Sequence, residues 1–111
     1  MNSDLKFHHI GIPTTKKVPG LVHHKHLKIW ATDHESNLYG IQWMLYEKDC
    51  NQPELIRTVT HVAFEVDDLE TALVGKKIIT PPNSPSPGVM VAMIEEAGAP
   101  VELLQYDKNE K

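Results

Sequence analysis

Residues 60–66, THVAFEV, decide how this chain is read. Val62, Phe64 and Val66 alternate with His61, Ala63 and Glu65, the period of a strand with two unlike faces. A second stretch, HHIGIPT at residues 8–14, matches it position for position. His9 falls on His61, Ile10 on Val62 and Ile12 on Phe64. Further along, GIQWMLY (40–46) falls on PVELLQY (100–106), setting Gln42 on Glu102 and Tyr46 on Tyr106. His9 precedes Gln42 by 33 residues and His61 precedes Glu102 by 41, a difference of eight. One short helix accounts for it, and the second half carries such a segment, DLETALVG (68–75), between its two matched strands. The chain therefore reads as two copies of one module, the first with its helix missing or very short.

The remaining segments fit this plan. KFHHIGIPT, HLKIWATD and IQWMLYEKD read as strands, and TTKKVPGLVHHK as a polar loop with a Pro-Gly turn. HESNLYG reads as a turn. In the connector CNQPELIRTV, Pro53 suits the start of a short helix, where a missing N–H costs nothing. Asp67 or Asp68 can cap the second-half helix, Leu69 and Leu73 lie one turn apart on it, and Gly75 is placed to end it. ITPPNSPSPG, with four prolines, reads as a loop of polyproline character. VMVAMIEEAG and APVELLQY read as a hairpin turning at EAGAP, and the tail DKNEK as frayed. Strand parity sends His9, Gln42, His61 and Glu102 to one face, with Tyr46 and Tyr106. Ile10, Ile12, Val62, Phe64 and Val66 go to the other.

Composition narrows the class. A chain of 111 residues is one domain's worth: module one over about 5–50, a connector at 51–59, module two over about 60–107. Net charge is −4 and lysine and arginine are scattered, which argues against nucleic acid, while Arg57 as the only arginine argues against strongly anionic substrates. VMVAMI, at 89–94, is far short of a membrane span, so no membrane partner is expected. The start, MNSDLK, has no signal-peptide pattern, and the single Cys50 suits a reducing compartment, so the expected location is cytoplasmic.

HHIGIP, THVAFEVDDLETAL and PVELLQY together resemble the vicinal oxygen chelate superfamily, the glyoxalase, bleomycin-resistance and dioxygenase group. The resemblance covers most of the chain and is weakest over residues 15–40. It implies an α+β fold in which paired βαβββ modules form an incompletely closed eight-stranded barrel around a divalent metal. One ligand comes from the first strand and one from the last strand of each module. Carried over, the ligands are His9, Gln42, His61 and Glu102. The Gln42 position is more often a carboxylate in glyoxalase-type members.

Two imidazoles and a carboxylate suit Zn, Ni, Co, Mn or Fe(II). Gln42 adds only a neutral oxygen, so the ion would keep net charge near +1 and polarise a bound carbonyl or enolate strongly. Glu102 is then ligand and candidate acid/base together. The expected function is a metal-dependent lyase or isomerase that stabilises an enolate-type intermediate of a small oxygenated substrate. A non-enzymic, drug-sequestering binding protein is the alternative. An Fe(II) dioxygenase, on the triad His9, His61 and Glu102, is the third. Other readings stay open at single residues. Gln42 is a ligand or a pocket liner. Tyr46, Tyr106 and Trp30 are expected in the pocket. His8 reads as structural or interfacial, His24 and His26 as a solvated loop, and Cys50 as non-catalytic. EVDDLE is acidic, but helix capping explains it. Trp43, with Ile41 and Leu45, lies on the face that a first-module helix would cover, and its exposure points to a homodimer.

Overall fold

A computed structural model of the chain describes residues 5–107. The expectations for the extreme N-terminus and for most of the tail DKNEK lie outside the described residues. The fold is α+β, with eight strands and few helices. In chain order the elements are β1 (Lys6–Pro13), β2 (Val22–His24), β3 (Ile29–Ala31), a 3-10 turn (His34–Ser36), β4 (Ile41–Tyr46), α1 (Glu54–Thr58), β5 (His61–Glu65), α2 (Leu69–Ala72), β6 (Lys77–Ser86), β7 (Val89–Glu96) and β8 (Ala99–Tyr106). No helix stands between β1 and β2, so the first module lacks the helix that α2 supplies in the second. Among the described residues no helix is long and apolar enough to cross a membrane.

The chain divides into two compact units, residues 9–61 and residues 62–107 with 5–8. In the first, the strands run in the order β2, β3, β4, β1. β1 and β4 are parallel, with Ile10 opposite Ile41, Gly11 opposite Gln42 and Ile12 opposite Trp43. β3 is antiparallel to β4 and to β2. Ile29 and Ala31 are buried on one face of β3, while Trp30 between them is 36% exposed. Thr32 extends the β3–β4 pairing: its hydroxyl accepts the Trp43 N–H at 2.8 Å, and the Thr32 N–H donates to the Trp43 carbonyl at 3.0 Å. Pro53 starts α1 as its N-cap residue, and Ile56 is the buried side chain of that helix.

In the second unit the order is β5, β8, β7, β6. β5 and β8 are parallel, with Val62 opposite Val101, Ala63 opposite Glu102 and Phe64 opposite Leu103. The core is built where α2 covers this sheet: Val66, Leu69, Leu73, Ala92, Ile94 and Leu103 pack together, joined by Phe64 and Val101. The apolar face read from THVAFEV is the one that meets the helix. Gln105 caps α2 from β8, its side-chain oxygen accepting the Leu69 N–H at 2.6 Å. Asp68 is the N-cap residue, and its carboxylate accepts the Thr71 hydroxyl at 2.7 Å. Gly75, at φ 74°, turns the chain out of the helix in the left-handed conformation that costs glycine least. The β7–β8 hairpin turns at Ala97 and Gly98, both with positive φ, which matches the strand twist.

Two segments read as loops are strands. Val22–His24, inside TTKKVPGLVHHK, pairs with β3 although all three residues are exposed. Its side chains are all unburied, so there is no alternation to detect. β6 occupies the proline-rich stretch and pairs with β7 through a register that shifts three times between Ile78 and Ser86. Both strands lie at the ends of the sheet order, where proline is tolerated because its missing N–H need not join a ladder.

Candidate metal centre

In the unit of residues 9–61, β1 brings His9 to the same face as Gly11, two residues on. In a parallel pair, opposed residues share a face, so Gln42 lies on that face beside Gly11. His61 reaches it from the first position of β5. A Cβ built at Gly11 would collide with the His61 ring and stand 2.6 Å from either ring nitrogen. Glycine is required at position 11 because an imidazole occupies the space a side chain would fill. The His61 ring stands edge-on to the His9 ring, with centroids 5.6 Å apart and planes at 82°. Both histidines are buried, at 3% and 5% exposure. A ring nitrogen of one lies within 4.8 Å of a ring nitrogen of the other. Two nitrogens on one ion, each about 2.1 Å from it, stand roughly 3 Å apart, so small side-chain rotations bring this pair to ligating distance.

The second unit places Glu102 by the same logic. It stands on β8 between Ala63 of β5 and Met93 of β7 in register. Ala63 is fully buried and Met93 is 8% exposed, so the half-buried carboxylate is flanked by apolar neighbours. Ala63 is two residues beyond His61 on β5, so Glu102 has the side-chain direction of His61.

The aromatic residues expected in the pocket have different settings. Tyr46 is half-buried and lies on the Gln42 face of β4, its hydroxyl 3.5 Å from the Met44 sulfur. The Tyr106 hydroxyl is 2.8 Å from His8 Nε2, so His8 holds this tyrosine. Trp30 is opposite Leu45 in register and lies on the other face of the sheet from Gln42 and Tyr46. It lines a cavity of about 480 Å3 with Lys17, Val18, Gly20, Leu21 and Leu45, and its ring stacks on His23 at 4.3 Å. His23 Nε2 is 3.3 Å from the Glu47 carboxylate. His24 and His26 are exposed. Cys50 is half-buried and has the Leu27 carbonyl 3.6 Å from its sulfur.

One residue at this site was not singled out from sequence. His34, in the 3-10 turn before β4, faces His9 with ring centroids 5.0 Å apart and planes at 32°. It sits in a polar turn with no periodicity, and only the fold carries it to β1.

No family model matches the chain, and no curated protein does. Among solved structures, 45 chains match. One is described as a hypothetical protein, BH1468, from Bacillus halodurans C-125. It is 16% identical, covers 98% of this chain and 99% of its own, and superposes with a TM-score of 0.62. At that identity the likeness is one of fold.

Proposed function

We propose that the protein is a metal-dependent lyase or isomerase of glyoxalase type, holding one divalent ion through His9, His61 and Glu102. The observation that carries this reading is the seating of the His61 imidazole over Gly11, edge-on to the buried His9 ring. Gly11 carries no side chain, and the His61 ring takes up that space, buried away from bulk water. Two neutral imidazoles with one carboxylate are a donor set for Zn, Ni, Co, Mn or Fe(II). Gln42 stands beside Gly11 and fits either a fourth ligand or a pocket wall.

When bound, the ion supplies a positive charge that polarises a carbonyl oxygen and stabilises an enolate. The chain's residues do the rest. His9 on β1 and His61 on β5 would hold the ion. Glu102 would complete the donor set and, through a carboxylate oxygen, would accept a substrate α-proton and return it to a neighbouring atom. The apolar neighbours Ala63 and Met93 limit water around that carboxylate. A small oxygenated substrate, a homodimer formed on the Trp43 face and a cytoplasmic location belong to the same proposal. The drug-sequestering alternative needs no ion.

The test is proton exchange in D2O. Chain loaded with each of the five ions is mixed with small α-hydroxy and α-keto carbonyl compounds, and loss of the α-proton signal is followed by NMR. Exchange that needs the ion, and that Glu102→Gln abolishes, is the expected result. A chain that takes up no ion sinks the enzyme reading and leaves ligand sequestration.

A further inference from the structure

We infer that the cleft between the end of β1 and α1 is a binding site for an oxyanion, the phosphoryl or carboxylate group of a small soluble molecule. It lies within the unit of residues 9–61 and does not depend on a metal ion. A cavity of about 420 Å3 opens there, lined by Pro13, Thr14, Thr15, Lys16, Arg57 and Thr58. That volume is within the range of small-molecule sites, about 300–1,000 Å3. Both charged residues on its walls are positive, and the three threonines add hydroxyls. Glu54, on the first turn of the same helix, does not line it.

Arg57 is the decisive group. It is the chain's single arginine and is half-buried. A cation drawn partly out of water is costly unless opposite charge or other acceptors replace the water. Among the described residues the guanidinium makes one hydrogen bond, from Nε to the Gln52 carbonyl at 2.8 Å. That bond holds the guanidinium at the cleft and leaves the N–H groups of both Nη atoms for a ligand. Elsewhere in this unit basic side chains have carboxylates beside them: Lys28 has Asp49 at 2.8 Å and His23 has Glu47 at 3.3 Å. None of the ion pairs among the described residues includes Arg57 or Lys16.

Backbone and packing contacts hold both walls. The Thr14 N–H donates to the Met44 carbonyl at 2.8 Å, tying the chain to β4 where β1 ends. The Lys16 N–H then donates to the Thr14 hydroxyl at 3.0 Å, in the turn that carries Lys16 to the cleft. On α1 the Thr58 hydroxyl donates to the Glu54 carbonyl at 2.8 Å, and buried Ile56 anchors the helix. A guanidinium presents paired N–H groups that match two oxygens of a phosphate or carboxylate, and Lys16 adds a point charge. The scarcity of arginine, which reads against strongly anionic substrates, counts for less once the fold sets Arg57 and Lys16 on one cavity.

Amide NMR of the full chain, titrated with inorganic phosphate and separately with acetate at constant ionic strength, tests this. Wild type, Arg57→Gln, Arg57→Lys, Lys16→Ala and Lys25→Ala are compared, with circular dichroism to confirm folding; Lys25 does not line the cleft. The expected result is saturable shifts at Thr14, Thr15, Lys16 and Thr58 in wild type and in Lys25→Ala, the same before and after treatment with chelator. Kd should rise about tenfold or more in Arg57→Gln and Lys16→Ala, and less in Arg57→Lys, which keeps the charge and loses the paired donors. Tighter binding of phosphate than of acetate assigns a phosphoryl group, and the reverse a carboxylate. If Arg57→Gln fails to fold, Lys16→Ala decides. Shifts that do not saturate, shifts that vanish with chelator, an unchanged Kd in a folded Arg57→Gln or in Lys16→Ala, or an equal loss in Lys25→Ala overturns the inference.

Discussion

The two modules solve the same problem with different amounts of material. In the first, His9 stands two residues before Gly11, which is opposite Gln42. In the second, His61 stands two residues before Ala63, which is opposite Glu102. The flanking pairs repeat too, Ile10 with Ile41 against Val62 with Val101. What differs is the cover. α2 buries Leu69 and Leu73 on the outer face of the second module. The first has no helix there, and the equivalent strand face keeps Ile41, Trp43 and Leu45 only half-buried. The strand pair that aims the polar residues is thus separable from the helix that stabilises it. The first module keeps the register and gives up the helix that covers it.

The largest effect that sharpens this contrast is at the helix. Leu73→Ala removes a buried side chain from the second-module core and should cost about 2–4 kcal/mol. Leu45→Ala on the uncovered face should cost about 1 kcal/mol. Chemical denaturation of both variants measures the pair, and equal losses would break the comparison.

The next effect lies at the small residue between the polar positions. Gly11→Ala drives a methyl into the His61 ring and should cost about 1–3 kcal/mol, as overpacking does, while displacing that ring from His9. Ala63→Gly, at the equivalent position, should lose about 1 kcal/mol without moving either histidine. Melting curves give the stabilities, and the histidine ring signals in NMR report the displacement. An unmoved His61 resonance in Gly11→Ala would contradict the seating described above.

The smallest is at the second module's hairpin. Ala97 takes φ 50° where β-carbon crowding is unfavourable. Ala97→Gly relieves that at some cost in unfolded-chain entropy, for a net gain of about 0.5 kcal/mol. A lower melting temperature would show that the turn is not the source of strain.

Period-two alternation made the central strands legible, because β1, β4, β5 and β8 each have one apolar and one mixed face. It also made legible which face of its strand each of His9, Gln42, His61 and Glu102 takes, since parity in parallel strands carries over to register. The edge strands were not legible. Val22–His24 buries nothing, and Lys77–Ser86 is held by ladder bonds around prolines. No side-chain pattern marks either. His34 was invisible for a related reason: a residue in a short turn reaches a site through the path of the backbone, which leaves no periodic trace. Trp30 shows the opposite limit, because its aromatic character suggested a pocket but not which face of the sheet that pocket is on.

Ion content tests most directly whether the repeated strand pairs converge on one metal. Untagged chain, purified without chelator, is assayed by mass spectrometry alongside His9→Ala, His61→Ala and Glu102→Ala. About one transition-metal ion per wild-type chain, lost in all three variants, is the predicted result. Wild-type chain free of metal, and taking up none when divalent ions are added, would contradict it.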